Sequence, residues 1–335
     1  MKVLHLTDGL SMIPLCEALT RKGMDVTTCH FYKHSSNVSV DICLNLQDVP
    51  PNERVNKMTE FLHKAMDEYD LFHFHFGFTF LPDNSDLEIL KRKGKKLIVH
   101  HHGSEVRSLS IARSFNNPYV EVKPYWTEER IQQNLQRLSQ YVDDAIIPYF
   151  ELLPYIEKYY KNIHYIPNGV DVRSMKAVYP ETTCSSPLLI HAPSNRMLKG
   201  TEYVTNAVER LRQKGLNFRF ALIEKLPHAE AQRLYREADI VIDQLRIGDY
   251  GLFSIEAMAL GKPVVCFIRD DLRNKYPDLP IVNATPDTVA HVLEDLIKDP
   301  EKRRQLGIQS RNYAQKFHDA DNAADKLIEI YKNLR

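Results

Sequence analysis

The sequence lacks a surplus of charge, paired cysteines and any long apolar run. Its 335 residues carry 44 basic and 44 acidic side chains, so the formal net charge is zero. Nucleic acid or an anionic membrane would find no global field to follow, and such contact would need a local patch. The five cysteines (Cys16, Cys29, Cys43, Cys184 and Cys266) are odd in number and widely spaced, without one CxxC pair. That argues against a zinc ribbon and a disulfide framework. Reduced thiols fit a cytoplasmic protein, and Cys29 and Cys266, in strand-like runs, read as core residues. No apolar stretch approaches the ~20 residues that span a bilayer. The opening MKVLHLTDG, broken by His5 and closed by Asp8, falls short of a secretory leader. The GxGxxG, Walker, HExxH and GxSxG patterns are all missing, which argues against a nicotinamide cofactor, a P-loop, a zincin and a hydrolase elbow. No short repeat or low-complexity tract appears.

What is present is alternation. Short β-rich runs at 2–6, 25–30, 71–76, 97–101, 145–148 and 164–167 read as strands. A second set follows at 188–192, 218–223, 240–243, 263–267 and 281–282. Helical patterns lie between them at 14–22, 52–68, 128–141, 201–214, 229–238, 254–260 and 286–298. Apolar strands alternating with helices indicate parallel sheets covered on both faces. The aperiodic stretch 173–187, with Pro180, Pro187 and four Ser or Thr residues in its second half, suits an interdomain linker. The expectation is therefore α/β, with a first domain at 1–172 and a second at 173–320. A last helix at about 321–335 is free to pack back on the first domain.

Ligands of open parallel sheets sit beyond the carboxyl ends of the strands, so the loops there are the places to search. Thr7-Asp8-Gly9-Leu10-Ser11 puts a glycine at a strand–helix turn, where backbone amides can approach a phosphate. His100-His101-His102-Gly103-Ser104-Glu105-Val106-Arg107 ends a strand. By alternation His100 and His102 share one face and His101 points away. Metal binding there is the lesser reading, and His102 as a polar group near a sugar or phosphate is the sharper one. His73 reads as a structural histidine, with His75 nearer the cleft. Arg196, Lys199 and Gly200 precede a helix that Thr201 can cap, a good arrangement for a diphosphate. The run from Gly248 to Pro263 leads through Asp249, Gly251, Leu252 and Ser254 to Glu256. In the first turn of a helix, Glu256 could aim its carboxylate at a ribose diol. Asp319 and Asp321 have the DxD form, but capping the terminal helix is their simpler role.

Together these loops resemble the retaining glycosyltransferases of family 4. The phrases carrying the resemblance are Ile166-Pro167-Asn168-Gly169-Val170-Asp171, His102-Gly103-Ser104-Glu105-Val106-Arg107, Lys199-Gly200 and Glu256-Ala257-Met258-Ala259 with Gly261 and Pro263. The resemblance implies the GT-B fold, two Rossmann-like domains with parallel sheets facing across a cleft. By position it makes His102, Arg196 and Lys199 the catalytic candidates. Donor binding would fall to Gly9, Arg196, Lys199, Gly200, Asp249, Gly251, Leu252 and Glu256, with Ser104, Glu105 and Arg107 on the acceptor side. It implies no metal and no bound cofactor. Asn168 and Asp171 would be hinge and packing residues. One departure stands out: the first of the family's two glutamates falls on Gly248, and the neighbouring Asp249 offers a carboxylate in another direction.

The expected activity is transfer of a sugar, with UDP-sugar as the first candidate donor, to a glycan, lipid-linked or small-molecule acceptor, as in polysaccharide biosynthesis. Alternatives are a sugar-nucleotide-binding subunit without turnover and a GT-B nucleotide-sugar epimerase. The expected location is the cytoplasm. Weak peripheral contact at the inner membrane face is left open by the amphipathic stretch 129–141, and no nucleic-acid partner is expected.

Overall fold

A computed structural model describes residues 1–6, 11–33 and 39–334. The chain forms two compact units. The first comprises Met1–Ser108, Pro124–Gly169 and Ala320–Arg335; the second comprises Leu109–Lys123 and Val170–Asp319. The sequence reading gave 1–172 whole to the first domain. Leu109–Lys123 instead belongs with the second, where the Asn117 amide donates to the carbonyls of Arg246 (2.8 Å) and Ile247 (3.3 Å) and Glu121 pairs with Arg246 (3.2 Å).

The first unit holds a seven-stranded parallel sheet in the order β3-β2-β1-β4-β5-β6-β7. Its strands are β1 (Lys2–Leu6), β2 (Asp25–His30), β3 (Ile42–Cys43), β4 (Leu71–His75), β5 (Lys96–His100), β6 (Asp144–Ile147) and β7 (Asn162–Tyr165). Strands covered on both faces read as continuous apolar runs, which is why β1, β4 and β5 were legible. β3 has only two residues and no readable pattern. β4 stops one residue short of the expected run because Phe76 turns into the left-handed region at φ 57°.

Two helices of this unit matter below: α1 (Met12–Arg21) and α2 (Glu128–Tyr141). The Thr127 hydroxyl caps α2 by accepting from the Arg130 amide at 3.3 Å, and Ile131, Leu135 and Leu138 face inward. The C-terminal helix, Ala320–Asn333, lies beside α1. It buries Ala323, Ala324, Leu327 and Tyr331 in one cluster with Val3, Leu71, Ile98 and Ile146.

The second unit holds a five-stranded parallel sheet, β12-β11-β10-β8-β9. The strands are β8 (Leu188–His191), β9 (Arg219–Leu222), β10 (Ile240–Ile242), β11 (Val264–Cys266) and β12 (Val282–Asn283). Three helices position its loops: α3 (Arg196–Lys199), α4 (Thr201–Gln213) and α5 (Leu252–Ala259). From Phe253 to Ala259 every residue of α5 is buried, as its apolar Phe-Ser-Ile-Glu-Ala-Met-Ala run requires. Among the described residues, no helix is long and apolar enough to cross a membrane.

Candidate functional site

The second unit gathers its polar groups where β8, β10 and α5 meet. Asn195 caps α3, its side chain accepting from the Leu198 amide at 3.0 Å, and Gly200 ends the turn at φ 71°. This sets Lys199 inward: its Nζ donates to Asp243 Oδ1 (2.9 Å) and Gln244 Oε1 (2.7 Å). Asp243 lies just past β10 and is 1% exposed; it also accepts from the Ser254 hydroxyl (2.7 Å) and the Gly251 amide (3.1 Å). Burial pushes its carboxyl pKa up, but Lys199, Ser254 and Gly251 outweigh burial and hold it below the ordinary value. A methyl group placed on Gly251 would lie 3.1 Å from Lys199 Nζ. The ammonium therefore sits beside the amino end of α5, where the helix dipole adds positive potential.

The other sequence candidates of this unit diverge. Arg196 is on the surface, pairing through its Nε with Glu224 at 2.8 Å. Thr201 does not cap α4: Gly200 holds that position, and the Thr201 hydroxyl reaches the His191 Nε2 at 2.9 Å. His191 Nδ1 lies 2.8 Å from the Ile242 carbonyl, so Nδ1 carries the proton and Nε2 accepts. Burial lowers the His191 pKa to about 4. α5 starts two residues earlier than expected. Glu256 is thus one turn in, 6% exposed, with Gln232 donating to it at 3.4 Å, and the first-turn dipole argument does not apply. Leu252, half-buried, opens the helix.

Asp249 is no substitute for a missing glutamate. It is 1% exposed and its carboxylate accepts from the Tyr276 hydroxyl (2.6 Å) and the Tyr250 amide (2.8 Å). At Gly248 the backbone adopts φ 89°, and a β-carbon would lie 2.4 Å from Arg269 Cγ. Arg269 occupies the space a side chain at 248 would need. Its guanidinium pairs with Asp271 and lies 4.4 Å over the Phe115 ring. A lone glycine in the motif showed a side chain missing; what fills the space comes from 21 residues downstream and from an insert with no periodic signal.

In the first unit, Gly9 lies outside the described residues. His102 is half-buried at the end of β5. Burial lowers its pKa to about 4 despite the Glu105 charge. Glu105, fully buried, accepts from the His102 and Gly103 amides (2.6 and 2.9 Å) and so braces the loop. Arg107 makes a buried two-pronged pair with Glu151 (2.8 and 2.9 Å); burial opposes its charge, and Glu151 more than compensates. Of the acceptor-side candidates, only the half-buried Ser104 keeps a side chain outside such a pair. Asn168 donates to the Tyr149 hydroxyl at 2.7 Å, and Asp321 pairs with Arg21 at 2.7 Å.

One face of the first sheet is lined with histidines, because β1, β4 and β5 place His5 beside His73 and His75 beside His100. A hydrogen-bonded file runs from Ser11 to His102 (3.4 Å), His75 (3.0 Å), His5 (3.0 Å), Tyr331 (3.0 Å) and His73 (2.6 Å). Burial drives all of these imidazoles towards neutrality, His5 to about 3. His73 Nε2 and both nitrogens of His100 have no hydrogen-bond partner among the described residues. His5, His73 and His75, and again His75, His100 and His102, bring nitrogens within 4.8 Å of one another and could hold a divalent ion. The rings stack almost parallel, 4° apart for His73 and His75 and 20° for His100 and His102. Both nitrogens of His75 and of His5, with His73 Nδ1 and His102 Nε2, are already joined in the hydrogen-bonded file, so an ion would have to displace those bonds.

A family model described as glycosyl transferases group 1 matches residues 196–313. The second unit carries a glycosyl transferases group 1 domain. That domain opens on Arg196 and takes in Lys199, Asp243, Gly251 and Glu256. The D-inositol 3-phosphate glycosyltransferase of Xylanimonas cellulosilytica is 26% identical over 212 residues, 50% of this chain and 51% of that protein. The chain thus spans about half the length of this curated relative. Sucrose-phosphate synthase from Thermosynechococcus elongatus superposes at TM-score 0.70 with 17% identity, covering 99% of this chain and 98% of that one. Anabaena HepE, solved with UDP-glucose, superposes at 0.69 with 15% identity over the whole of both chains. These likenesses give the fold as GT-B.

Proposed function

We propose that the chain transfers a sugar from a nucleotide-diphosphate sugar, UDP-sugar first among candidates, to a glycan, lipid-linked or small-molecule acceptor with retention of configuration. The observation that carries this reading is the Lys199 ammonium beside the amino end of α5. As the bond from the anomeric carbon to the diphosphate lengthens, negative charge gathers on the leaving oxygens. A fixed cation and aligned amides stabilise that charge more than they stabilise the bound donor. They supply the positive potential that a metal would otherwise bring, and the reading makes the reaction metal-independent. HepE's bound UDP-glucose and the group 1 match support UDP as the donor nucleotide.

Thermal unfolding with UDP, GDP, ADP and CMP, each with and without magnesium, tests the reading. UDP at 100 times its dissociation constant should add about 2.7 kcal/mol, with no dependence on magnesium. A shift with GDP or ADP instead would replace the donor, and no shift with any nucleotide would overturn the assignment. The Arg269 side chain over Gly248 favours a second reading, a sugar-nucleotide-binding subunit without turnover. That protein would show the UDP shift and release no UDP from UDP-sugars with any acceptor supplied.

A further inference from the structure

The first unit contains a groove of about 890 Å³ in which the first-unit site residues named above have no part. It lies beyond the carboxyl ends of β2 and β4 and is closed on one side by α2. Its volume suits a small saccharide. Two features of its wall are unusual for this chain. First, Tyr32, Phe78 and Tyr125 line it while remaining 49%, 41% and 59% exposed. Scattered exposed aromatics are ordinary, but three at one concavity mark a binding surface. Second, the lining includes Lys33, Arg130 and Arg137 and, among the described residues, not one Asp or Glu, in a chain whose net charge is zero. Asp83 is the carboxylate whose pKa feels Arg137; it is exposed and outside the lining.

The cations and rings are already organised. The Arg130 guanidinium lies 3.8 Å over the Tyr125 ring and 4.9 Å from that of Trp126, and it donates to the Tyr125 hydroxyl. Trp126 is packed at 5.4 Å from Tyr125 and 5.9 Å from Phe78, centroid to centroid. Arg137 follows Arg130 after two helical turns on α2, so both present planar forks to the same space. Such forks fit phosphate oxygens in pairs. Flat apolar rings fit the C–H faces of a pyranose.

We propose that the groove binds the acceptor, and that the acceptor is a phosphorylated saccharide. Its phosphate sits on Arg130 and Arg137, with Lys33 adding charge, and its sugar lies against Trp126, Tyr125 and Phe78. The word acceptor rests on the transferase reading; the binding of a sugar phosphate does not. The phosphate belongs either to a free sugar phosphate or to the headgroup of a lipid-linked saccharide, and the test separates the two.

The chain contains one tryptophan, and it lines this groove. Its fluorescence therefore reports occupancy directly, without donor or turnover. Glucose 1-phosphate, glucose 6-phosphate, glucose, inorganic phosphate and a short-chain polyprenyl diphosphate sugar are titrated separately. Phospholipid vesicles of anionic composition form a further arm. The expected result is saturable change with at least one phosphorylated saccharide, weakened tenfold or more in Arg130→Gln and in Arg137→Gln, and no matching response to glucose. A response to the lipid-linked form alone assigns the phosphate to a lipid headgroup; one to the free sugar phosphates assigns it to a soluble acceptor. Glucose binding as tightly as its phosphates would overturn the anion assignment. Inorganic phosphate matching them would overturn the saccharide assignment. A response confined to plain vesicles would make the groove a membrane contact and overturn the proposal, as would no response at all. If the groove binds and UDP does not shift unfolding, the transferase reading fails and the sugar-phosphate site stands. The reverse pattern removes only the groove.

Discussion

Lys199 serves two neighbours, and the two can be separated. Its ammonium faces the amino end of α5 and also neutralises Asp243, which is 1% exposed. Replacing Lys199 by Ala leaves a buried, uncompensated carboxylate, and losing one partner of such a pair costs about 3–5 kcal/mol. Lys199→Ala alone should therefore lower both the melting temperature and turnover. The double variant Lys199→Ala with Asp243→Asn should regain most of the melting temperature and none of the turnover. Turnover restored in the double variant would show that Lys199 serves the fold and not the leaving group. Local strand–loop–helix order made Lys199 and Gly251 readable as neighbouring loop positions, and the structure brings them together, with a β-carbon on Gly251 3.1 Å from Lys199 Nζ. The same sequence could not show that Asp249 turns to Tyr276, that Arg107 is held by Glu151, or that Arg196 lies on the surface with Glu224. Each depends on a partner distant in sequence and on which way a side chain leaves its loop.

At the scale of elements, the histidine face of β1, β4 and β5 has a thermodynamic signature. His5 and His102 have folded pKa values of about 3 and 4, below the ordinary 6.5. His73, His75 and His100 are also lowered. Below pH 6.5 the unfolded chain takes up protons that the folded chain refuses. Stability is then lost as the pH falls from about 6.5 towards 4, at about 1.4 kcal/mol per pH unit for each such group. The carboxyl of Asp243, lowered in the folded state, adds its own loss only below the ordinary carboxylate range. Thermal midpoints at constant ionic strength should fall steeply between pH 6.5 and 5. A flat profile there would mean the file is protonated or hydrated in the folded protein. The alternation rule had separated His100 and His102 from His101, and the strands themselves were legible from their short apolar and aromatic runs. Strand order was not, since a one-dimensional pattern does not say which neighbour each strand meets; only that order aligns the five rings. Element ends slipped where a single residue decided them, as at Phe76 and at the start of α5.

For the whole molecule, the decisive fact is that the first unit is discontinuous. The chain leaves it at Gly169 and returns at Ala320, and the two residues meet so closely that a β-carbon on Gly169 would lie 2.7 Å from Ala320 Cα. Gly169→Ala should lower the unfolding midpoint, since backbone on both sides must move. Leu327, fully buried on the returning helix, should cost about 2–5 kcal/mol when replaced by Ala. Urea unfolding followed by far-ultraviolet dichroism measures both, and a cost under 1 kcal/mol for Leu327→Ala would mean the helix is dispensable to that core.

The returning helix also governs the order in which the protein can mature. On the ribosome, β1, β4, β5 and β6 precede the helix Ala320–Asn333, so the cluster around Val3, Leu71, Ile98 and Ile146 has only α1 (Leu15, Ala18 and Leu19) to cover it until that helix has been translated. The whole of Val170–Asp319 is synthesised first. The nascent chain thus carries a part-covered apolar sheet face through the synthesis of most of the second unit, and the first unit's core closes only after the second unit has been made.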